Sequence, residues 1–166
     1  VTQKAVLFAG KIRENVFFGE SAAPETDEEL KNAIELSQAE EFVDKLPDGT
    51  EHMISQMGRN VSGGQKQRLS IARALSRKPE ILVFDDSFSA LDYKTDAKLR
   101  EGLNEKLKET TKIIVAQRIS TIRHADKIIV LDRGEAVGMG THEELMKNCD
   151  VYKEIALSQL SAAELA

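Results

Sequence analysis

Tryptophan is absent from the 166 residues, aromatic side chains make up 5% of them, and one cysteine, Cys149, stands alone. A single cysteine excludes an intrachain disulfide framework and fits a reducing compartment. No apolar run approaches the ~20 residues that a membrane-spanning helix needs, and no signal-peptide pattern opens the chain. The three histidines, His52, His124 and His142, are scattered without metal-ligand spacing. Positive charge is in deficit, with 23 Lys and Arg against 28 Asp and Glu. A net charge of -5 argues against a protein that coats nucleic acid. What remains is the composition of a folded globular domain, 41% hydrophobic and 31% charged, at a length that one core can serve.

Apolar periodicity alternates between the two kinds of element. Thr26 followed by Glu29 has the form of a capping box and opens a helix through Leu30, Ile34 and Leu36. A shorter helix holds Phe42, Val43 and Leu46 and stops at Pro47-Asp48-Gly49. Ser21 to Pro24 and residues 51–61 read as loops. Gln65 to Ser76 is apolar on more than one face and predicts a well-buried helix, ended by Pro79. Ile81 to Phe84 is a continuous apolar run closed by Asp85-Asp86, the pattern of a strand covered on both faces. Tyr93 to Lys108 carries Leu99, Leu103 and Leu107 in one helical stripe. Ile113 to Ala116, Lys127 to Leu131 and Glu135 to Val137 predict three further strands, the last two flanking an Arg133-Gly134 turn. Helices over His142 to Lys147 and Val151 to Gln159 close the chain. Strand, helix, strand in this order predicts an α/β fold with a mostly parallel sheet.

Two segments carry chemistry. Ser62-Gly63-Gly64-Gln65 is a glycine-rich turn feeding a helix. Ser62 can cap it, Gln65 can reach back, and the exposed backbone N–H groups of such a helix start bind anions. Taken alone, it is equally a plain capped helix. Asp85 and Asp86 stand at the C-terminal end of a buried strand, where α/β proteins place ligand chemistry and where a carboxylate can hold Mg²⁺ through water.

SGGQKQRLSIARAL resembles the signature helix of ABC (ATP-binding-cassette) proteins, and ILVFDD resembles their Walker B strand. Ser89-Ala90-Leu91-Asp92 matches the D-loop. VTQKAVLFAGKIRENVFFG is similar to the Q-loop and the segment after it in exporters, IIVAQRIST to the switch region, and LDRGEAVGMGTHEELM to the end of an exporter cassette. These motifs occur in family order over nearly the whole chain. The resemblance implies a P-loop NTPase-like sheet with an α-helical signature subdomain over about residues 12–77, a Walker B, D-loop and switch core over about 78–140, and C-terminal helices over 141–166. It implies ATP and Mg²⁺ as cofactors. Gln3, Asp86 and Gln117 become catalytic candidates, and Asp85, with Gln3, the Mg²⁺ site through water. Ser62, Gly63, Gly64, Gln65 and Asp92 become nucleotide-binding candidates. A second, different nucleotide-binding domain and the coupling helices of a transmembrane domain are the implied partners, at the cytoplasmic face of the cell membrane. Arg13, Phe17 and Phe18 would face those coupling helices, although Phe17 and Phe18 serve equally as core.

The sequence departs from the family pattern at three places. The general base, a Glu in the family, is Asp86, one methylene shorter, and a retreat of ~1 Å can cost ~100-fold when attack geometry is critical. The switch histidine is Gln117, whose amide can hydrogen-bond a phosphate but carries neither charge nor transferable proton. Asp86 and Gln117 together resemble the degenerate site of heterodimeric exporters. Gln56 also stands where many exporters have Glu, just ahead of the signature. No G-x-x-x-x-G-K-[ST] occurs. With Val1 in place of Met, the expectation is truncation ahead of the Walker A loop. The alternatives are a non-transport ABC ATPase and a non-catalytic interaction module.

Overall fold

In the computed structural model, residues 1–20 and 23–159 are described. The expected loop at Ser21 and Ala22, and the part of the C-terminal segment beyond Gln159, lie outside them. The chain divides into two compact units, Val1–Val115 and a second beginning at Ala116.

The first unit is built around one long buried helix. Strand β1 (Gly10–Lys11) leads into helix α1 (Ile12–Val16), and α2 (Asp27–Leu36) and α3 (Glu40–Val43) follow. Thr26 caps α2 by accepting from the Glu29 N–H. The other half of the expected capping box does not form, because the Glu29 carboxylate instead pairs with Lys78 at 2.6 Å. Leu46 falls in the turns after α3. The expected loop at 51–61 contains strand β2 (Met53–Ile54), antiparallel to β1, and the tight turn through Met57 and Gly58, both at positive φ. Helix α4 (Gly63–Leu75) buries Gln67, Leu69, Ile71, Ala72 and Leu75. Strand β3 (Ile81–Asp85), helix α5 (Tyr93–Lys106) and strand β4 (Thr111–Val115) complete the unit, with β3 and β4 parallel from Ile81↔Thr111 to Asp85↔Val115. Leu69, Ile71, Leu82, Phe84, Leu99 and Leu103 share one core with residues of α1, α2 and α3.

Both strands of this pair differ from expectation in one respect. Leu82 and Phe84 are buried, whereas Ile81 is 59% and Val83 44% exposed, and on β4 Ile113 and Val115 are 50% and 52% exposed. Side chains alternate across a strand. The helices of this unit cover one face of the pair, and the other stays open among the described residues. A continuous apolar run does not report whether its second cover comes from the same segment.

The second unit contains α6 (Ile119–Ile122), β5 (Ile128–Asp132), β6 (Glu135–Gly140), α7 (His142–Asn148) and α8 (Asp150–Gln159). Arg133 and Gly134, at φ +50° and +86°, form the two-residue link between β5 and β6. Positive φ at both positions matches a hairpin of native twist, so this ladder is antiparallel. Among the described residues the α/β fold is therefore present as three two-stranded ladders, of which the β3–β4 pair is the parallel one. Thr141 and Glu144 form a complete capping box on α7. Ile119, Ile128, Val130, Leu145, Cys149, Tyr152 and Ala156 form the core.

Phe84 is fully buried, and removing such a ring costs about 3–5 kcal/mol through lost transfer energy and a residual cavity. Phe84→Ala is expected to destabilise by that amount, whereas Val83→Ala on the open face changes stability by less than ~1 kcal/mol. Denaturant titration of the protein carrying this domain compares the two.

Candidate nucleotide site

The end of β3 is held from three sides. Val1 lies along the strand, its amino group donating to the Val83 carbonyl at 2.7 Å and its carbonyl accepting from the Asp85 N–H at 2.9 Å. The buried Ser87 hydroxyl donates to the same Val1 carbonyl at 2.9 Å. From α4, Gln67, 1% exposed, donates its amide to the Thr2 carbonyl at 3.0 Å. These bonds place the next residue, Gln3, beside the acid pair, where its Nε2 donates to Asp86 Oδ2 at 3.0 Å. The N–H of Asp86 continues the ladder by donating to the Val115 carbonyl at 2.9 Å. Its φ of +45° then turns the chain off the strand, a left-handed conformation that Asp tolerates better than most residues. The Ser89 hydroxyl donates to the Asp86 carbonyl at 2.8 Å and holds the bend. Three of the residues singled out in the sequence, Gln3, Asp85 and Asp86, are thus brought together. Gln117 belongs to the second unit.

The signature segment starts α4 as its residue types require. Ser62 Oγ accepts from the Gln65 N–H at 3.3 Å, and Gln65 Oε1 accepts from the Ser62 N–H at 2.8 Å. Gln65 is thereby committed to the cap. Gly63 and Gly64 open the helix, where backbone N–H groups have no intrahelical acceptor. A Cβ on Gly63 would meet nothing within 4 Å, and one on Gly64 would lie 3.3 Å from the Ala90 carbonyl. Packing within the chain therefore leaves the Gly63 position open to a group from outside. Asp92 caps α5, accepting from the Thr95 N–H at 3.0 Å and from the Thr95 hydroxyl at 2.7 Å. These bonds, the Thr95 hydroxyl first, hold its carboxyl below the usual carboxylate range.

The donors suit a magnesium nucleotide. Among the described residues no cluster of three or more His, Cys, Asp or Glu could hold a metal ion. Mg²⁺ typically needs only one or two carboxylates, with phosphate and water completing its shell. Asp85, exposed at the strand end, offers such a carboxylate, and the open helix start at Gly63 offers dipole and N–H groups to a phosphate. His142 Nδ1 lies 2.8 Å from the Tyr152 hydroxyl, a packing role within the second unit.

Some contacts have no signal in the sequence. Arg73 donates to the carbonyls of Asn15 (2.6 Å) and Val6 (3.0 Å) and lies over the rings of Phe8 and Phe18, which stack 4.2 Å apart. Phe18 is about half exposed, Phe17 is partly buried against the core, and Arg13 is paired with Asp27 and Glu51. Gln67 and Gln159 likewise hold main-chain segments distant in sequence through their amides.

A carboxylate pair at the end of a parallel strand, a glutamine bonded to it and a glycine-led, capped helix start define a nucleotide-binding domain of α/β build. The family model for the ABC transporter matches residues 1–89, and the chain belongs to that family, as an ATP-binding domain. It is 46% identical over 167 residues to a putative ABC transporter ATP-binding protein of Mycoplasma genitalium, covering 96% of this chain and 27% of that protein. It is 43% identical over 161 residues to a putative export ATP-binding/permease protein of Rickettsia felis, covering 97% of this chain and 28% of that protein. The structure matches a bacterial Atm1-family ABC exporter solved with ATP bound, with a TM-score of 0.90 at 34% identity, over 97% of this chain and 28% of that one. The chain therefore spans little more than a quarter of the length of these relatives.

Because the folded-state carboxyl of Asp92 is more acidic than in the unfolded chain, its cap contributes fully above the ordinary carboxylate range. The contribution is lost as pH falls through the lowered folded value. Asp92→Asn keeps an acceptor for the Thr95 N–H and is expected to flatten this acid limb. Asp92→Ala is expected to lower stability at neutral pH as well. Thermal melts of the three forms between pH 3 and 7 measure both effects.

Proposed function

We propose that this domain binds and hydrolyses ATP as one half of an ABC exporter, and that its own site is the slow one of an asymmetric pair. The observation that carries the reading is the Gln3–Asp86 hydrogen bond at the end of β3. It joins a glutamine of the Q-loop type to the residue that follows the Mg²⁺-binding aspartate. In this reading Asp85 and Gln3 would hold Mg²⁺ through water, Asp86 would orient the attacking water, and Gln117 would hydrogen-bond the γ-phosphate. Mg²⁺ would neutralise phosphate charge as the bond to the leaving group breaks. Asp86 is a short base already engaged by Gln3, and Gln117 lacks the imidazole of a switch histidine. Each change would weaken the role that the family resemblance gives that residue.

The other face of the domain keeps its full set. Ser62 and the N–H groups of Gly63 and Gly64 would point at the γ-phosphate held by a partner nucleotide-binding domain, in line with the open space at Gly63. Asp92, as the cap of α5, would fix the D-loop backbone at that interface. ATP would close the two domains into a sandwich and hydrolysis would reopen it. A transmembrane domain at the cytoplasmic face of the membrane would follow through its coupling helices. The likeness to an export ATP-binding/permease protein and to an Atm1-family exporter supports export as the transport direction. The half-exposed Phe8–Phe18 stack supports a coupling-helix contact on the first unit.

Two experiments on the full transporter test the asymmetry. Gly63→Asp sets a carboxylate against the partner's phosphate. Losing one such donor alone costs ~100- to 1000-fold in rate, so this variant is expected to abolish most ATPase and transport. Asp86→Asn is expected to leave most of both. Equal damage from the two would show that this domain's own site is a working one. Conversely, Asp86→Glu with Gln117→His is expected to raise turnover at this site, by up to ~100-fold as the base regains its reach. The rate is measured with the partner's catalytic Glu removed, and no rise above that background counts against the reading.

A further inference from the structure

The switch segment of the second unit is held by a side chain from the C-terminal helix. Gln159 Nε2 donates to the Gln117 carbonyl at 2.8 Å, and Gln159 Oε1 accepts from the Ile119 N–H at 2.9 Å. One amide thus brackets Arg118, bonding the main chain on either side of it across 40 residues of sequence or more. The second bond fills a specific need. Ile119 begins α6, and its N-cap, Arg118, makes no side-chain cap bond. An N–H at a helix start has no intrahelical partner, and Gln159 supplies the missing acceptor from another element.

The two bonds have opposite polarity, so only a group with both a donor and an acceptor fits. A carboxylate would set an acceptor against the Gln117 carbonyl, and an apolar side chain would satisfy neither partner. The platform that presents Gln159 is fixed. Tyr152 (2% exposed) and Ala156 (0%) of α8 pack into the core with Ile119, Ile128 and Val130. Gln159 follows Tyr152 by seven residues and Ala156 by three, which puts all three on one helical face.

We propose that Gln159 is a positioning residue for the switch. It fixes the backbone at Gln117, so that the placement of α8 sets how the Gln117 side chain is offered to nucleotide. The inference rests on the reading of Gln117 as the γ-phosphate contact. It adds a mechanical input to that contact, since whatever displaces α8 displaces the switch.

The test uses the full-length protein with nucleotide binding at the partner domain's own site removed, and compares Gln159→Leu, Gln117→Ala and the parent. Hydrogen–deuterium exchange reads the bonds directly. Gln159→Leu is expected to raise exchange about 10-fold in peptides covering 117–122, the scale of one lost hydrogen bond. Peptides covering 128–132 stay protected and show that the unit remains folded. Competition binding with Mg-ATP and Mg-ADP reads the function. Both variants are expected to lower the preference for ATP over ADP while leaving ADP affinity unchanged, whereas general loosening of the unit would weaken both nucleotides alike. Unchanged exchange at 117–122 in Gln159→Leu overturns the clamp. Raised exchange with the ATP preference intact, while Gln117→Ala loses it, overturns the positioning role and leaves the switch reading standing. A preference retained in Gln117→Ala overturns the switch reading and this inference with it.

Discussion

The buried amide of Gln67 is the joint on which the meeting of Gln3 with the acid pair depends. It lies on α4, 1% exposed, and donates to the Thr2 carbonyl. Burying an amide without a partner costs roughly 1–3 kcal/mol, so the bond strongly favours one placement of the segment ahead of Gln3. The helix that starts with the glycine-led capped turn is thereby also the helix that sets Gln3 beside Asp86. Further along the same helix, Arg73 takes two carbonyls and the Asn15 side chain and lies over two aromatic rings. Residues 2 to 18 are thus fastened to α4 at several points. Helix α4 works as a beam, open at its Gly63 start and holding Gln3 beside Asp86 along its flank.

Much of this was legible in the sequence. The glycine-led start of α4, the run ending in Asp85-Asp86, the stripe of α5 and the Arg133-Gly134 turn each follow from local chemistry, and each is present. The parts that were not legible depend on partners far along the chain. Gln67 looks like any polar residue in a helical pattern, and nothing near it in sequence announces a bond to Thr2. Gln159 stands at the end of a helix whose sequence shows no link to the switch. The open faces of β3 and β4 were missed for a related reason. An apolar strand looks the same whether or not its second cover comes from within the segment that contains it.

Asp86 shows how a local rule bends at the end of β3. A strand that simply ended would not require a non-glycine residue at positive φ. Here the ladder is carried through the Asp86 N–H to Val115 and then broken at once, with Ser89 holding the bend. Strain of this kind, on the order of 1–3 kcal/mol, persists only when the surroundings fix it. Val1, Gln3, Val115 and Ser89 do so from both sides of the strand.

The long reach of the Val1 contacts also sets an order of assembly. The capped start of α4 closes within four residues, from Ser62 to Gln65, and can form as soon as those residues exist. The bonds from Val1 to Val83 and Asp85, and from Gln3 to Asp86, each span more than 80 residues. At a synthesis rate of about 5–20 residues per second, the first of these residues waits several seconds for its partners. Gln65 is made about 20 residues before Asp86, so for roughly 1–4 s the capped start of α4 can already be native while the acid pair has yet to be made. A chaperone or ligand acting on the nascent domain would therefore meet the α4 start and the acid pair one after the other.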